Sequence, residues 1–384
     1  MKIHKLVASL AIAVLAPLSA HAHEDVRLKA WLESQPATAT QHFEQAQVYA
    51  QLANLWKELG DAGRASDFFA RSTAAAGRVK DAYVQDTLAA HLSNELASSG
   101  DHDGALKSLD KVQDTDVWVK AAWKLIGKLA KANQPQRAAE LLKRTEARTR
   151  TVEEPLLRAE LLSGTGAAYR YVEKARGENL VYESYGMAQM LPDLYERGIM
   201  LNEAGAHLVD IGHRDQAIAV FEAVDRLAPQ VKDPLQRAQV LAMLGGEMAE
   251  KNLRDRAALA LDKGRAVAMA LPASEDRSAV LSEIARNYGQ SHRFDAGVAV
   301  AETIADPYHR IEGFIRIAKN MARTGHKEAA FKLLERSERE ADSVKSPYLR
   351  ATVLRKLASE RIDAKQPEQA KALLIRAERA FAPA

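Results

Sequence analysis

One set of recurring residue spacings constrains the fold of this chain more than any other feature. A large apolar residue is followed by Gly or Asn, then by Ala and by a second large apolar residue, as in Trp56, Gly60, Ala65 and Phe69. The turn position of this pattern falls at 60, 100, 133, 212, 252, 292, 325 and 365. The steps are 33 to 40 residues long except for one of 79, so one degenerate copy is expected between 133 and 212.

The spacing predicts pairs of antiparallel helices joined by a tight turn. Gly or Asn adopts the left-handed turn conformation at little cost, and the small residue that follows lets the second helix approach closely. Prolines predict helix starts because proline is tolerated in the first helical turn and excluded from helix interiors; they stand at 135, 155, 192, 234, 272, 307, 347 and 367. Helical periodicity fills the intervals, so we expect about eighteen helices, more than about 70% helix and no sheet.

A single helix pair cannot bury its own apolar face, so the copies must stack. On these residues the sequence resembles the tetratricopeptide repeat (TPR) family, with matches over residues 40–381. The resemblance implies an all-α fold, an α-solenoid of about nine stacked antiparallel helix pairs in one elongated right-handed superhelix. The predicted array covers residues 40–384, with a degenerate repeat at about 150–192.

The amino terminus resembles a secretory signal peptide. Lys2 and Lys5 precede an apolar stretch from Leu6 to Leu18, and Ala20-His21-Ala22 has the small-x-small form of a cleavage site. We therefore expect residues 1–22 to be removed and residues 23–39 to form a cap on the first repeat. The prediction is a periplasmic or secreted protein without a transmembrane segment, which contains no cysteine and depends on packing for stability.

Composition and motifs exclude several classes of function. Lys and Arg number 54 against 51 Asp and Glu, which is not the charge excess of a nucleic-acid-binding protein. Gly164-Thr165-Gly166 lacks the rest of a dinucleotide-binding loop and is interpreted as a packed helix start. Four histidines at predicted turns are expected to lie too far apart to bind a metal together, namely His102, His213, His292 and His326. We expect no catalytic residues, no cofactor and no metal site.

The first helix of each TPR-like pair is expected to line a groove, as it does in the family that the sequence resembles. Asn54 and Asn94 occupy the same groove-facing position in consecutive copies. Asparagine can pair with the backbone N–H and C=O of an extended peptide at once, so this position predicts capture of a peptide backbone. Lys57, Trp123 and Lys131 are expected to contribute to the same surface.

Towards the carboxyl end the same face carries Arg286, Lys319, Arg323 and Arg355. Four cations on successive helices predict a site for an acidic peptide segment, a chain terminus or an anionic polysaccharide. The alternative is that Arg323 pairs locally with Glu312 or Asp363.

The function implied by the resemblance is that of an exported interaction scaffold that binds a peptide or protein in its concave groove. The alternative is an accessory subunit of a cell-envelope machine for polysaccharide export or outer-membrane assembly.

Overall fold

The computed structural model describes residues 37–381, and it is 82% helical, with no strand in that range. The predictions of an all-α fold and of eighteen helices are confirmed. Two short 3-10 helices follow longer α-helices, at Ala228–Gln230 and Ala341–Ser343. The predicted signal peptide at 1–22 and most of the predicted cap at 23–39 lie outside the described residues, because the first described helix begins at Ala37.

The chain divides into two compact units, with the boundary between residues 220 and 221. The helices up to this boundary are α1 (Ala37–Glu58), α2 (Ala62–Ala76), α3 (Ala82–Ser98), α4 (His102–Leu109), α5 (Thr115–Lys131), α6 (Pro135–Arg150), α7 (Pro155–Tyr169), α8 (Lys174–Met190) and α9 (Leu194–Asp210). Helix α10 (Arg214–Leu227) contains the boundary. The carboxyl-terminal unit continues with α11 (Pro234–Glu250), α12 (Arg254–Ala270), α13 (Glu275–Gln290), α14 (Phe294–Glu302), α15 (Pro307–Arg323), α16 (Lys327–Glu340), α17 (Pro347–Asp363) and α18 (Pro367–Ala380).

Odd-numbered helices are the first helices of the pairs and even-numbered helices are the second. Apart from α9, whose second helix contains the boundary, each first helix packs on its own second helix, and within each unit neighbouring first helices pack on one another. Second helices pack mainly on first helices and much less on each other. Each unit therefore consists of a continuous layer of first helices, which buries the core on one side, and an outer layer of more separated second helices.

The predicted turn positions are confirmed at all eight sites. In the described residues, positive φ angles occur at Gly60, Gly100, Asn133, Gly212, Asn252, His292, Gly325 and Lys365. The alanines that follow them at the expected spacing are buried in the second helices, at 65, 105, 138, 217, 257, 330 and 370. A small buried side chain lets the two helices of a pair approach closely, as the spacing predicts.

The connection from one pair to the next has its own recurring chemistry. Six of the predicted prolines begin helices: Pro135, Pro155, Pro234, Pro307, Pro347 and Pro367. Pro192 and Pro272 lie instead in the connections before α9 and α13. An arginine in the first turn of a first helix donates to the carbonyl oxygen six residues earlier, in Arg197, Arg237, Arg310 and Arg350. This bond satisfies a carbonyl oxygen that the tight connection leaves outside a helix.

Ion pairs one repeat apart link the second helices and the residues that directly follow them. Pairs exactly one 34-residue repeat apart in sequence are Arg137–Asp103, Arg144–Asp110, Arg256–Glu222, Arg336–Glu302 and Arg376–Asp342. Their side chains are largely exposed, so each contributes little to stability because water and salt screen the attraction. These ion pairs therefore align neighbouring second helices but add little to the free energy of folding.

The degenerate pair predicted between 133 and 212 is α7–α8. No residue of its turn has a positive φ. The two helices instead approach through glycine, because a Cβ on Gly166 would lie 2.8 Å from the carbonyl oxygen of Gly177. The interpretation of residues 164–166 as a helix start is wrong, since they lie inside α7, where glycine provides room for the neighbouring helix and for Trp123.

Two glycines of α8 test this close approach. A Cβ on Gly177 would lie 2.5 Å from the carbonyl oxygen of Gly166, so Gly177→Ala should destabilise the protein by about 1–3 kcal/mol through overpacking. Gly186 has open space around its Cβ position, and Gly186→Ala should stabilise the same helix by about 0.5–1 kcal/mol. Urea unfolding followed by circular dichroism measures both changes. Equal effects of the two substitutions would contradict the close approach of α7 and α8.

Candidate partner-binding surface on the first helices

The predicted amide residues of the amino-terminal unit join neighbouring first helices. Asn54 Nδ2 on α1 donates to the backbone oxygen of Glu95 on α3 at 3.3 Å and also to its carboxylate. Lys57 Nζ donates to the backbone oxygen of Ser99 at 2.9 Å. Asn94 is half-buried, and its Oδ1 accepts no hydrogen bond within the described part of the chain. Two of these residues therefore hold α1 against α3, while peptide capture by the asparagines stays a prediction.

Trp123 and Lys131 lie on α5, in different environments. The Trp123 indole packs on the backbone of Gly164, and its Nε1 donates to Thr165 Oγ1 at 3.1 Å. The ring is half-buried between α5 and α7. Lys131 is exposed in the last turn of α5. The indole thus has a packing role, and only part of it faces solvent on the first-helix layer.

The four predicted cations of the carboxyl-terminal unit are not equivalent. Arg286 pairs with Glu283 one turn away and donates to Asn287 Oδ1 at 3.0 Å. Lys319 Nζ on α15 lies 3.0 Å from Glu360 Oε1 on α17. Arg323 is exposed at the end of α15, and no ion pair within residues 37–381 involves it. Arg286 and Lys319 are therefore neutralised by carboxylates of the same layer.

A charge cluster that the sequence analysis did not identify as a site lies between α15 and α17. Glu312 is 4% exposed. Its Oε1 accepts from Lys356 Nζ at 2.5 Å, and its Oε2 accepts from Arg316 Nε at 3.3 Å. The suggested pairing of Glu312 with Arg323 is wrong, because these two nearer cations occupy its carboxylate.

The pKa shifts of Glu312 and Lys356 indicate how burial and neighbouring charges offset one another in this cluster. Burial by itself would raise the pKa of Glu312, but attraction to Lys356 and Arg316 outweighs it and lowers the pKa to about 2. Burial lowers the pKa of Lys356 to about 8, because repulsion by Arg316 and Arg355 adds to it and Glu312 offsets only part. The two cations therefore stabilise the charged form of Glu312 more than burial destabilises it. For Lys356, the single carboxylate does not offset burial and repulsion, which destabilise the charged form.

We call Glu312, Arg316, Arg355 and Lys356 the Glu312 cluster; it contains one anionic and three cationic groups. It is not closed to solvent, since the Arg316 and Lys356 side chains are 32% and 20% exposed. The buried His309 lies beside it, and its pKa is lowered by burial and by Lys356 against the attraction of Asp306 and Glu312. The cluster therefore presents accessible cations in a setting that water screens poorly.

The amino-terminal unit contains a buried ionic group with the opposite balance. Lys120 Nζ lies 2.8 Å from both Asp116 Oδ1 and Glu160 Oε1, and all three residues are buried. Burial lowers the pKa of Lys120, but the two carboxylates outweigh it and raise the pKa above its usual range. This group joins α5 to α7 and exposes almost nothing, so it stabilises the layer without offering a binding site.

The structure shows no arrangement for metal binding or membrane insertion in the residues that it describes. No three metal-ligating side chains converge within 37–381. Within the same residues no helix is both long and apolar enough to cross a bilayer.

Comparisons with known proteins match the chain only at the level of structure. No protein-family model matches it, and no curated protein sequence matches it. Ton1535 from Thermococcus onnurineus NA1 is 12% identical over 77% of this chain and 99% of its own, with a TM-score of 0.41. A Rap protein complexed with competence and sporulation factor is 14% identical over 88% of this chain and 99% of its own, with a TM-score of 0.36.

Aspartyl phosphate phosphatase F from Bacillus subtilis is 12% identical over 91% of this chain and 96% of its own, with a TM-score of 0.34. The likeness to the TPR family therefore depends on the residue pattern and on the paired helices described above.

Substitution of Glu312 tests the charge balance of the cluster. Glu312→Gln leaves two partly buried cations without their carboxylate and should cost about 3–5 kcal/mol of stability at neutral pH. The folded pKa of about 2 lies below the ordinary 4.5, so the unfolded state binds more protons between these values. The stabilisation by Glu312 is therefore complete above about pH 4.5 and is lost as the pH falls towards 2.

Urea unfolding of both proteins over this pH range, followed by circular dichroism, measures the effect. The stability difference between wild type and Glu312→Gln should shrink as the pH falls. Glu328 is exposed on the second helix α16, so Glu328→Gln is the isosteric control. A difference that stays constant with pH would contradict the assignment.

Proposed function

We propose that this protein is an exported, non-catalytic scaffold that binds a protein or peptide partner along its first-helix layers. The carboxyl-terminal unit receives an acidic part of that partner at the Glu312 cluster. The observation that supports this proposal is the pairing of one buried carboxylate, Glu312, with two cations, Arg316 and Lys356, that remain partly accessible.

The cluster continues along α15 as a row of cations. Arg316, Lys319 and Arg323 succeed one another at helical spacing and share one face of the helix, since residues three, four and seven apart are neighbours. Lys319 is engaged by Glu360, whereas Arg323 ends the row in solvent without an ion pair in residues 37–381. An acidic peptide segment could therefore contact the cluster with one carboxylate and Arg323 with another.

The local environment favours binding of an anion over simple solvation of the cations. Arg316 and Lys356 are already held by Glu312, so little side-chain freedom remains to be lost when a partner binds. Their partial burial reduces screening by water and salt, which strengthens attraction to a further carboxylate. A bound carboxylate would also relieve the repulsion that Lys356 experiences from Arg316 and Arg355.

Export is supported by the amino-terminal sequence alone, since residues 1–36 lie outside those that the structure describes. The same scaffold suits an accessory subunit of a cell-envelope machine. Gentle crosslinking in the envelope fraction separates the two roles, because a machine subunit is captured in one stoichiometric complex and a peptide receptor with many short peptides.

Charge reversal on the first-helix layer tests the acidic-partner proposal. Arg323→Glu together with Arg355→Glu should weaken binding of a fluorescent Asp-Ser repeat peptide at least tenfold, with unchanged helix content. Fluorescence anisotropy at neutral pH and in increasing salt provides the measurement, and wild-type affinity should fall steeply with salt. The charge-matched control is Lys332→Glu with Arg339→Glu, two exposed residues of the second helix α16. Salt-independent binding that survives the first pair would refute the proposal.

The asparagines of the amino-terminal unit provide a separate test of backbone capture. Asn54→Ala with Asn94→Ala removes the amides that would pair with an extended peptide, and should lower affinity for a co-purified partner peptide about tenfold. Because Asn54 also joins α1 to α3, the melting temperature is measured in parallel. Unchanged peptide binding by a folded double variant would show that the amides only pack the helices.

A further inference from the structure

A second surface of the carboxyl-terminal unit lies at the turn edge, away from the first-helix layer. A cavity of about 540 Å³ opens there beside the turns of the pairs α13–α14 and α15–α16. Its lining is His292, Arg293, Phe294, Asp295, Ala296, Met321, His326 and Ala329. The two histidines were expected to be separate, but both contact Phe294.

Three rings form one side of this cavity. The His292 ring stacks on Phe294 with a centroid distance of 5.8 Å and an interplanar angle of 17°. His326 meets the same phenyl ring edge-on at 5.3 Å. Phe294 thus fixes two imidazoles from successive repeats beside one opening, and its ring offers an apolar surface to the methylene groups of a ligand.

His292 occupies the left-handed turn position of its repeat. Its φ is +62°, at the turn position where four other repeats have Gly, two have Asn and one has Lys365. A histidine backbone in this region is strained relative to glycine, although histidine tolerates it better than most residues. Histidine at this position places an imidazole in the lining of the cavity.

The charges around the cavity depend on the state of the histidines. Burial lowers the pKa of His292, and repulsion by Arg254 and His326 lowers it further, so three basic groups converge there. No carboxylate of residues 37–381 pairs with Arg254, His292 or His326; Arg254 donates to Asn252 Oδ1 at 3.1 Å.

Two carboxylates face the same edge. Asp255 pairs with Arg293 at 3.3 Å, and Asp295 lies in the lining. With neutral histidines, these two balance Arg254 and Arg293. Protonation of both imidazoles then gives the cavity a surplus of two positive charges.

We propose that this turn-edge cavity is a second binding site, which takes an acidic segment of a protein partner when His292 and His326 are protonated. The occupant follows from charge complementarity, since the cavity gains positive charge that no carboxylate of its own unit neutralises. The site would add a pH-dependent contact to the scaffold, separate from the Glu312 cluster. This second site does not depend on the function proposed above, so one proposal can fail without the other.

The test uses the full protein with Arg323→Glu and Arg355→Glu, which silences the first-helix site. Binding of the fluorescent Asp-Ser repeat peptide is measured by anisotropy from about pH 7.5 down to about pH 5, because the pKa of His292 lies below the usual histidine value. We expect binding at least tenfold tighter at the lower pH, lost in both His292→Gly and His326→Gln. His102→Gln, at the turn edge of the amino-terminal unit, is the matched control and should leave binding unchanged.

Two further readouts separate a binding role from a structural one. Because glycine suits the positive φ of residue 292, His292→Gly should leave the melting temperature unchanged or raised while it removes binding. An NMR titration should show that the peptide raises the pKa of His292 in the wild-type protein. Binding that does not depend on pH, or that survives in both His292→Gly and His326→Gln, overturns the proposal.

Discussion

The structure depends on the fact that a pair of short helices cannot bury its own apolar face. Each first helix must pack on its second helix and on the next first helix, so no pair is stable without neighbours. The close approach inside each pair requires a small residue after the turn, and Ala65, Ala217 and Ala330 are buried at that point. In α7–α8 the turn pattern is degenerate, and Gly166 and Gly177 are the small residues at which the two helices approach closely.

Two kinds of polar contact hold the layers in register, and they differ in cost. Outer ion pairs are 34 residues apart and exposed, so each contributes little and none is expensive to maintain. Contacts between first helices are 40 to 45 residues apart, and several are partly or fully buried, as in Asn54–Glu95 and Asn287–Ala242. Polar groups in the inner layer must be satisfied there, because an unpaired buried group is costly.

The two buried ionic groups show how similar chemistry can serve different ends. Around Lys120 two carboxylates enclose one cation, and the group is closed to solvent. Around Glu312 the ratio is reversed, and Arg316 and Lys356 remain partly accessible. A closed group, in which the cation is paired with two carboxylates, joins two helices. An open group with partly accessible cations does this as well, and these cations are the ones to which we propose that an acidic partner binds.

The sequence by itself determined the repeat, because backbone requirements act locally. A left-handed turn needs Gly, Asn or a tolerated substitute at one position, and all eight predicted turns follow this rule. Residue spacing also located the degenerate pair and the buried alanines. The basic character of the carboxyl-terminal first helices was readable too, in Arg323 and Arg355.

Only the tertiary structure decided which charges neutralise one another. The pairing of Lys356 with Glu312, or of Lys319 with Glu360, depends on the offset between successive stacked helices. Neither the repeat length nor the periodicity within one helix fixes this offset. The meeting of His292 and His326 on Phe294 likewise depends on how two neighbouring turns stack. Local conformation follows from residue type, whereas the balance of charge in a site follows from distances across the packed layer.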